Sequence, residues 1–315
     1  MILDKFGFLF FDDQLSFHSF LIKPVDNYKE LAKEVEKYVN QDGFIYPPMS
    51  HKVKLEAISG RVVEEIPKTH RPAVLHRLPA SHYIILENSK NRNITREGLL
   101  GLILHSLAYM FGTRLQFYDW WFDSRIPVKV TTHNINFDKN DLEHFLDHTL
   151  NKWKSWDSKN QKLFITILYM LSKSACYEWD WERFAIEYMI VDACFRLSQN
   201  LGLLQLGEKI PHSKRRKKLC KTRIRHSERI KKLCEDFKIP HDETYINDIV
   251  NIRNNLFHEI TWGNGLPGSA GSSKTYKMGD DLHRLNQRLI LAMLDYKTNY
   301  IHTDWRSISQ LKFKS

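Results

Sequence analysis

Apolar and polar positions alternate in several short runs of the first 137 residues, and this alternation predicts strands. The predicted strands cover residues 6–11, 15–22, 53–63 and 82–87. Two other stretches repeat their apolar positions every three or four residues, which predicts helices over residues 27–40 and about 96–111. Thr95 is the candidate N-cap of the second helix, and Gly112 is its candidate C-terminal stop.

From residue 139 onward the apolar spacing is helical almost throughout. The predicted helices cover residues 141–156, 160–179, 181–201, a segment ending near 237, a segment from 242 to 257, and 282–296. Pro240 should interrupt the helical pattern because proline lacks a backbone donor, and Asp242 is the candidate N-cap of the helix that follows.

These patterns predict an α+β chain. We expect a mixed α/β N-terminal domain over residues 1–137, an all-α helical bundle over 138–305, and a loose basic tail over 306–315. A length of 315 residues is sufficient for two separate hydrophobic cores.

Composition excludes several classes of protein. With 42% hydrophobic and 27% charged residues, the chain is not of the disordered class. The first eleven residues carry Asp4 and Lys5 and do not form a signal peptide, and the longest apolar stretch, 163–171, is too short to span a bilayer. We therefore expect a cytoplasmic protein with no membrane partner.

The four cysteines, Cys176, Cys194, Cys220 and Cys234, include no C-x-x-C pair, which favours reduced thiols over a disulfide framework. Two of them lie near three histidines along the chain, namely His212, His226 and His241. The ligands are too widely and irregularly spaced for a zinc site. We expect neither a bound metal nor a cofactor.

The net charge of +10 is concentrated in one segment. Residues 214–232 contain 11 Lys and Arg against the single acid Glu228, so the remainder of the chain is close to neutral. A solvated helix face is the alternative, but a run this dense favours contact with a polyanion such as RNA. The predicted RNA-binding residues are Lys214, Arg215, Arg216, Lys217, Lys218, Lys221, Arg223 and Arg225.

Two further patterns resemble binding sites. The aromatic cluster at residues 118–122 is either a base-stacking platform or core packing, and we favour packing because clustered aromatic rings are mostly buried. The segment 268–275 superficially resembles a phosphate-binding P-loop. Two serines separate its second glycine from Lys274, and no buried strand precedes it, so we reject this interpretation.

The candidate catalytic residues are Arg253, Asn254 and His258. RNA cleavage without a metal requires a cation that neutralises charge developing on the phosphate, and a group that transfers a proton near neutral pH. Arginine meets the first requirement because it is always charged and binds phosphate bidentately, and histidine meets the second. The chain contains two other Arg-x4-His spacings, beginning at Arg71 and Arg77, but prolines interrupt both.

Arg253-Asn254-x-x-x-His258 resembles the R-x4-6-H signature of the HEPN superfamily. The order of helices around it is also similar: a helix carrying Phe184-Ala-Ile-Glu187, a variable polar region, the motif helix, and a closing helix like that of the ApeA-like branch of anti-phage proteins. The resemblance covers roughly residues 140–305. It implies an all-α domain, a homodimer with the two motifs facing each other, and metal-independent RNA cleavage in the active members of the superfamily.

Helical geometry constrains this site. Asn254 and His258 share a helix face, but Arg253 and His258 are about 140° apart on a straight α-helix. One phosphate can meet both only if the helix ends between them or if the arginine comes from a second protomer, so the predicted mechanism relies on a dimer with a composite active site. Glu187 is either a catalytic carboxylate that faces and orients the motif or a glutamate that is exposed or paired in the core.

The functional expectation is therefore a metal-independent endoribonuclease that uses Arg253, Asn254, His258 and Glu187 and acts in toxin-like or antiviral defence. The N-terminal domain is expected to sense a trigger or bind a partner such as a phage protein or antitoxin. Two alternatives remain: a non-catalytic HEPN module that binds RNA or nucleotides, and an interaction protein whose helical half only dimerises.

Overall fold

The computed structural model describes residues 2–17, 20–46, 53–55, 62–64, 77–86, 94–128, 135–205, 224–263, 265–268, 273–307 and 311–313. The chain divides into two units, Met1–Thr131 together with Ala175–Tyr177, and Thr132–Ser174 together with Glu178–Ser315. The first unit contains a β-sheet and the second is mainly helical, which confirms the predicted α+β class.

The elements of the first unit follow in the order β1 (Ile2–Gly7), β2 (Leu15–Ser16), β3 (Phe20–Pro24), α1 (Tyr28–Glu36), β4 (Phe44–Ile45), β5 (Val53–Leu55), β6 (Val62–Glu64), β7 (His82–Leu86), α2 (Leu99–Phe111), β8 (Gln116–Phe117) and β9 (Ile126–Pro127). Five of these strands form one antiparallel sheet in the order β2-β3-β7-β1-β8. In addition, β4 pairs with β9 and β5 pairs with β6.

The prediction of one strand over residues 15–22 is wrong, because the segment forms two antiparallel strands. Leu15 pairs with Ile22, and Ser16 pairs with Leu21. Leu15, Phe20 and Ile22 are all buried. In a single strand every second residue would be buried, so the buried positions would be all odd-numbered or all even-numbered. Here they change from odd to even, which indicates that the chain reverses between them.

Helix α2 begins at Leu99 rather than at Arg96, and Gly98 rather than Thr95 is its N-cap. The Arg96 side chain instead donates hydrogen bonds to Asp4, at 2.8 Å, and to Asp119, at 2.6 Å. The predicted C-terminal stop at Gly112 is confirmed, because its φ of 61° lies in the left-handed region where glycine is favoured.

The aromatic cluster at residues 118–122 is divided between core and surface. Phe122 is buried in a cluster with Phe8, Tyr28 and other apolar residues of the first unit. Tyr118 is about half exposed. The packing interpretation therefore holds for Phe122.

The elements of the second unit follow in the order β10 (Ile135–Asn136), α3 (Lys139–Lys154), α4 (Ser158–Ser174), α5 (Asp180–Asn200), α6 (His226–Asp236), α7 (Glu243–Asn254), a π-helical turn (Asn255–Glu259), α8 (Ser273–Tyr276), α9 (Met278–Met293), a 3₁₀ turn (Asn299–His302) and β11 (Leu311–Lys312). The central helix α5 packs against both α4 and α9. Helix α4 ends at Ser174, before the predicted residue 179, and Ala175–Tyr177 belong to the first unit.

Helix α7, which leads into the motif, is fixed at its first turn. The Asp242 carboxylate accepts a hydrogen bond from the backbone nitrogen of Tyr245 at 3.0 Å, which confirms the predicted N-cap. The Tyr245 hydroxyl then donates to Asp281 of α9 at 2.5 Å. These bonds attach the motif helix to the helical core.

The expectation of a loose C-terminal tail is wrong for Leu311–Lys312 and Phe313. Strand β11 pairs in parallel with β10. Phe313 is fully buried, and its ring centroid lies 5.2 Å from that of Tyr296 and 5.7 Å from that of Phe145. An apolar ring in a basic segment therefore anchors the end of the chain to the helical unit.

None of the helices in the described residues combines the length and the apolar character needed to cross a membrane. Most of the predicted RNA-binding residues lie outside the described residues: Lys214, Arg215, Arg216, Lys217, Lys218, Lys221 and Arg223. His212 and Cys220 of the rejected zinc site also lie outside them.

Candidate active site

The motif spans a change in helix type. Helix α7 ends with Arg253 and Asn254, and the chain continues as a π-helical turn over Asn255–Glu259. The backbone nitrogen of Ile260 donates to the carbonyl of Asn255, five residues earlier, as π-helical bonding requires. Ile260 then adopts a left-handed φ of 54°, which ends the helix.

The π-helical turn brings the arginine and histidine of the motif together within one chain. Five residues correspond to about 140° of rotation on an α-helix but to roughly one turn of a π-helix. Arg253 Nη1 consequently lies 3.1 Å from His258 Nε2. The sequence permitted two arrangements: a helix end between Arg253 and His258, or an arginine from a second protomer. The structure has the first arrangement. The contact between the two side chains therefore does not require a second protomer.

One nitrogen of Arg253 connects all three motif residues. Nη1 donates to Asn254 Oδ1 at 3.0 Å as well as to His258 Nε2. Because arginine can only donate, His258 Nε2 must be the acceptor, and the proton of the neutral imidazole is then on Nδ1. The lone pair on Nε2 therefore points at the guanidinium group.

Two aromatic rings hold the Arg253 guanidinium. Its Cζ lies 5.1 Å from the centroid of Phe257 and 5.7 Å from that of Tyr188 on α5. Tyr188 is only 2% exposed, whereas Phe257 is 44% exposed. The cation thus contacts both a buried ring and a partly exposed ring, and such contacts hold a guanidinium without neutralising its charge.

Asp192, a carboxylate near the site, is bound to another cation. Within the described residues the hydrogen-bond partners of Arg253 are Asn254 and His258, no carboxylate pairs with it, and its buried Nε has no hydrogen-bond partner. Asp192, one turn after Tyr188 on α5, accepts from Arg229 Nη1 at 2.9 Å. Burial, reinforced by the negative charge of Asp192, raises the pKa of the Tyr188 hydroxyl, which therefore remains neutral near pH 7. Among the residues that the structure describes, Arg253 therefore has no carboxylate partner.

Glu187 does not face the motif, contrary to one of the two expectations. Its carboxylate is fully buried and accepts hydrogen bonds from Ser174 on α4 and from His283 and Asn286 on α9, the last two at 2.6 and 2.7 Å. The next residue, Tyr188, is the one that lies beside Arg253. Glu187 is therefore a core residue that joins three helices, and no catalytic role is assigned to it.

Replacing Glu187 with Ala should lower the free energy of unfolding by about 3 kcal/mol, because Ser174, His283 and Asn286 would lose their buried acceptor. Thermal or urea unfolding measures this loss. Any enzymatic activity per folded molecule should remain within a few-fold of wild type at a temperature where the variant is folded. Glu182→Ala, on the same helix, is the control, and an activity loss without a stability loss would contradict the assignment.

Of the predicted RNA-binding residues, the structure describes Arg225. It is exposed and immediately precedes α6, where its backbone nitrogen donates to Glu228 Oε2 at 3.0 Å. His226 and Arg229 of α6 both lie near Asp192, and the His226 ring centroid is 5.8 Å from that of Tyr188. The start of α6, which follows the basic segment directly, is therefore adjacent to residues that border the Arg253 site.

Sequence reasoning did not identify Tyr188, Asp192 or Phe257 as neighbours of the motif. Asp192 follows Tyr188 by four residues, so the two side chains share one face of the helix. The sequence would have indicated Asp192 if Tyr188, and not Glu187, had been selected as the residue that faces the motif. Phe257 could have been found from its position beside His258.

Within the described residues, no group of three or more His, Cys, Asp or Glu side chains is arranged to hold a metal ion. Cys234, a member of the rejected zinc site, is fully buried, and burial raises the pKa of its thiol to about 12. No protein-family model, curated protein or solved structure matches the chain.

Proposed function

We propose that the chain is a metal-independent endoribonuclease of the HEPN type. The observation that supports this proposal is the Arg253 guanidinium, which is hydrogen-bonded to Asn254 and His258 but forms no ion pair within the described residues. A fixed, uncompensated cation beside an imidazole is the combination that phosphoryl transfer without a metal requires.

Arg253 is the phosphate-binding group in this mechanism. A scissile phosphate supplies the anionic partner that Arg253 does not have among the described residues, and guanidinium donors match phosphate oxygens in geometry. As the phosphate binds, it competes for the Nη1 donor that otherwise bonds to His258 Nε2. Substrate binding would thereby free the imidazole lone pair next to the reacting bond.

His258 is the general base. Its freed Nε2 accepts the proton of the ribose 2′-hydroxyl, and the 2′-oxygen then attacks the adjacent phosphorus. The bond from phosphorus to the 5′-oxygen breaks, which leaves a 2′,3′-cyclic phosphate on one fragment and, after protonation, a 5′-hydroxyl on the other. Asn254 holds Arg253 through its Oδ1. DNA is not cleaved because it lacks the attacking hydroxyl.

The HEPN resemblance also implies a homodimer, and exposed apolar side chains around the motif support this part of the proposal. Phe257 is 44% exposed and Ile260 is 72% exposed, on either side of His258 and Glu259. Met189, Leu266 and Tyr276 are further large apolar residues with exposed surface in the same unit. Exposed apolar groups of this size commonly mark a surface that another protein covers.

We place this activity in toxin-like or antiviral defence in the cytoplasm, with the first unit binding a trigger such as a phage protein or an antitoxin. This setting rests on the resemblance alone. The basic segment at residues 214–225 is the proposed path of the RNA.

The test is incubation of the full chain and its His258→Ala variant with single-stranded and structured RNA in EDTA. Wild type should produce fragments that end in 2′,3′-cyclic phosphate, and His258→Ala should lower the rate by about 10²–10⁴-fold, the range for loss of a general acid or base. Sequencing after enzymatic opening of the cyclic ends identifies the products. RNA binding by both proteins without cleavage by either would favour a non-catalytic binding module.

A further inference from the structure

The backbone that carries His258 is locally unfavourable. Ile260 has a left-handed φ of 54°, which is an outlier for a β-branched residue. The π-helical turn before it is also a rare conformation. Backbone conformations of this kind persist only where the surrounding structure holds them. The short distance between Arg253 and His258 therefore depends on the residues that hold the turn.

The side chains around His258 are exposed, so the turn is held from its two ends. Residues 257–260 are all exposed, and the nearest buried side chains before and after them are those of Leu256 and Trp262. Leu256 lies inside the turn, before His258. Trp262 is the first buried side chain after His258, with only 1% of its surface exposed. Trp262 is thus the anchor on the far side of the turn.

Trp262 is bound to the first turn of α5. Its indole Nε1 donates to Asp180 Oδ2 at 3.1 Å, and its ring centroid lies 5.1 Å from that of Phe184. The backbone of Trp262 also pairs with that of Gly265, through hydrogen bonds of 2.9 and 3.1 Å. Both the side chain and the backbone of Trp262 are therefore fixed.

The first turn of α5 is a firm point of attachment, because α9 packs closely against it. Arg183 forms an ion pair with Asp280 of α9. A Cβ atom at Gly279 would lie 3.4 Å from the backbone nitrogen of Phe184, so the two helices approach closely here. A side chain that is bound to this part of α5 is therefore bound to the helical core.

We propose that Trp262 and Asp180 are positioning residues of the candidate active site. Their hydrogen bond fixes the chain just after the π-helical turn, and this keeps His258 within hydrogen-bonding distance of Arg253. Helix α5 then holds the motif at two points, through Tyr188 beside Arg253 and through Asp180 beyond His258. The effect on catalysis rests on the proposed ribonuclease function, whereas the effect on the geometry does not.

Loss of the bond between Trp262 and Asp180 should let the turn relax. Once Ile260 leaves its left-handed conformation, the segment can return to α-helical geometry, in which Arg253 and His258 point about 140° apart. Nη1 of Arg253 then no longer reaches His258 Nε2, and a phosphate bound to Arg253 no longer lies beside the base. A displacement of about 1 Å at a reacting group can lower a rate by roughly 10²-fold.

The first test needs no enzymatic activity. Nitrogen NMR of the full chain with isotopically labelled histidine should show one neutral tautomer for His258, with its proton on Nδ1, because Nε2 accepts from Arg253. The His258 signal is the one that His258→Gln lacks, and mildly alkaline solution keeps imidazoles neutral. Trp262→Phe keeps an aromatic ring against Phe184 but lacks the indole donor, so it should show a mixture of both tautomers.

The second test measures single-turnover cleavage at saturating RNA, at a temperature where every variant is folded. Trp262→Phe and Asp180→Ala should each lower this rate by about 10–10²-fold and change the dissociation constant for RNA by less than about 3-fold. The double variant should lose no more than either single variant, because both substitutions remove the same bond.

Trp153→Phe is the matched control for both tests. Trp153 is a buried tryptophan on α3 of the same unit, and its indole donates to the Gln161 carbonyl on α4 at 3.1 Å. The substitution therefore removes the same kind of bond from another pair of helices. It should leave the His258 tautomer and the cleavage rate as in wild type.

A single tautomer or a wild-type rate in Trp262→Phe would overturn the proposal, and so would losses that multiply in the double variant. A mixture of tautomers in wild type or in Trp153→Phe would also overturn it, because the bond to Asp180 would then not be what fixes His258. Absence of RNA cleavage by wild type would instead count against the proposed function. The tautomer measurement would in that case still decide whether Trp262 positions His258.

Discussion

Replacing Arg253 with Lys should lower kcat for RNA cleavage by about 10²–10³-fold, although the side chain remains positively charged. The structure gives the reason. Nη1 of Arg253 donates to Asn254 and His258, and the planar guanidinium contacts the rings of Tyr188 and Phe257. A lysine ammonium has one nitrogen and no planar fork, so it cannot hold these contacts and bind a phosphate bidentately at the same time.

Single-turnover cleavage at saturating RNA measures this effect, because it separates the chemical step from binding. Arg196→Lys is the matched control, since Arg196 is an exposed arginine on α5 of the same unit. Arg253→Lys with a cleavage rate within a few-fold of wild type would mean that the charge alone is sufficient, and the role assigned to the geometry of Arg253 would be wrong.

Replacing the five consecutive basic residues of the segment with glutamine should weaken RNA binding by on the order of 10²–10³-fold at low salt. The residues are Lys214, Arg215, Arg216, Lys217 and Lys218. Each phosphate contact with single-stranded RNA contributes about 0.7 to the slope of log affinity against log salt, so the slope should become shallower by up to roughly 3.5. The rate at saturating RNA should change little, because the three motif residues remain.

Fluorescence anisotropy with a 2′-O-methyl oligonucleotide, which cannot be cleaved, gives the affinity and its salt dependence. The control variant carries the same number of substitutions at exposed lysines elsewhere, namely Lys29, Lys33, Lys37, Lys154 and Lys159. If both variants lose affinity equally and keep the wild-type slope, RNA binding follows the net charge of the protein and not this segment.

The π-helical turn shows where reasoning from sequence alone reached its limit. On an α-helix, Arg253 and His258 point in directions about 140° apart, and this angle made a second protomer part of the predicted mechanism. The turn over Asn255–Glu259 removes that requirement for the pair itself. Such turns are rare and often occur at functional sites, but apolar periodicity does not encode them, since only a few residues depart from the regular repeat.

Glu187 and Tyr188 illustrate a second limit. Helix α5 packs against both α4 and α9, and Glu187 and Tyr188 are both buried on it. Helical periodicity predicts which face of a helix is buried, but it does not predict which neighbouring helix each buried residue contacts. Which of residues 187 and 188 lies beside Arg253 depends on the positions of the helices around α5.

The sequence by itself determined those features that depend on local chemistry. The α+β class followed from the two hydrophobic periods, the end of α2 from Gly112, and the start of α7 from Asp242, because each is decided by neighbouring backbone and side-chain groups. The concentration of charge at residues 214–232 and the candidate trio Arg253, Asn254 and His258 were also readable directly.

Only the tertiary structure decided what depends on distant parts of the chain. It placed Tyr188 beside Arg253, Glu187 among its partners from α4 and α9, His226 beside Asp192, and Phe313 against Tyr296. Each of these contacts joins residues that are far apart in sequence, so their energies are set by packing between elements and not by local propensity. For that reason the motif was visible in the sequence, whereas the site around it was not.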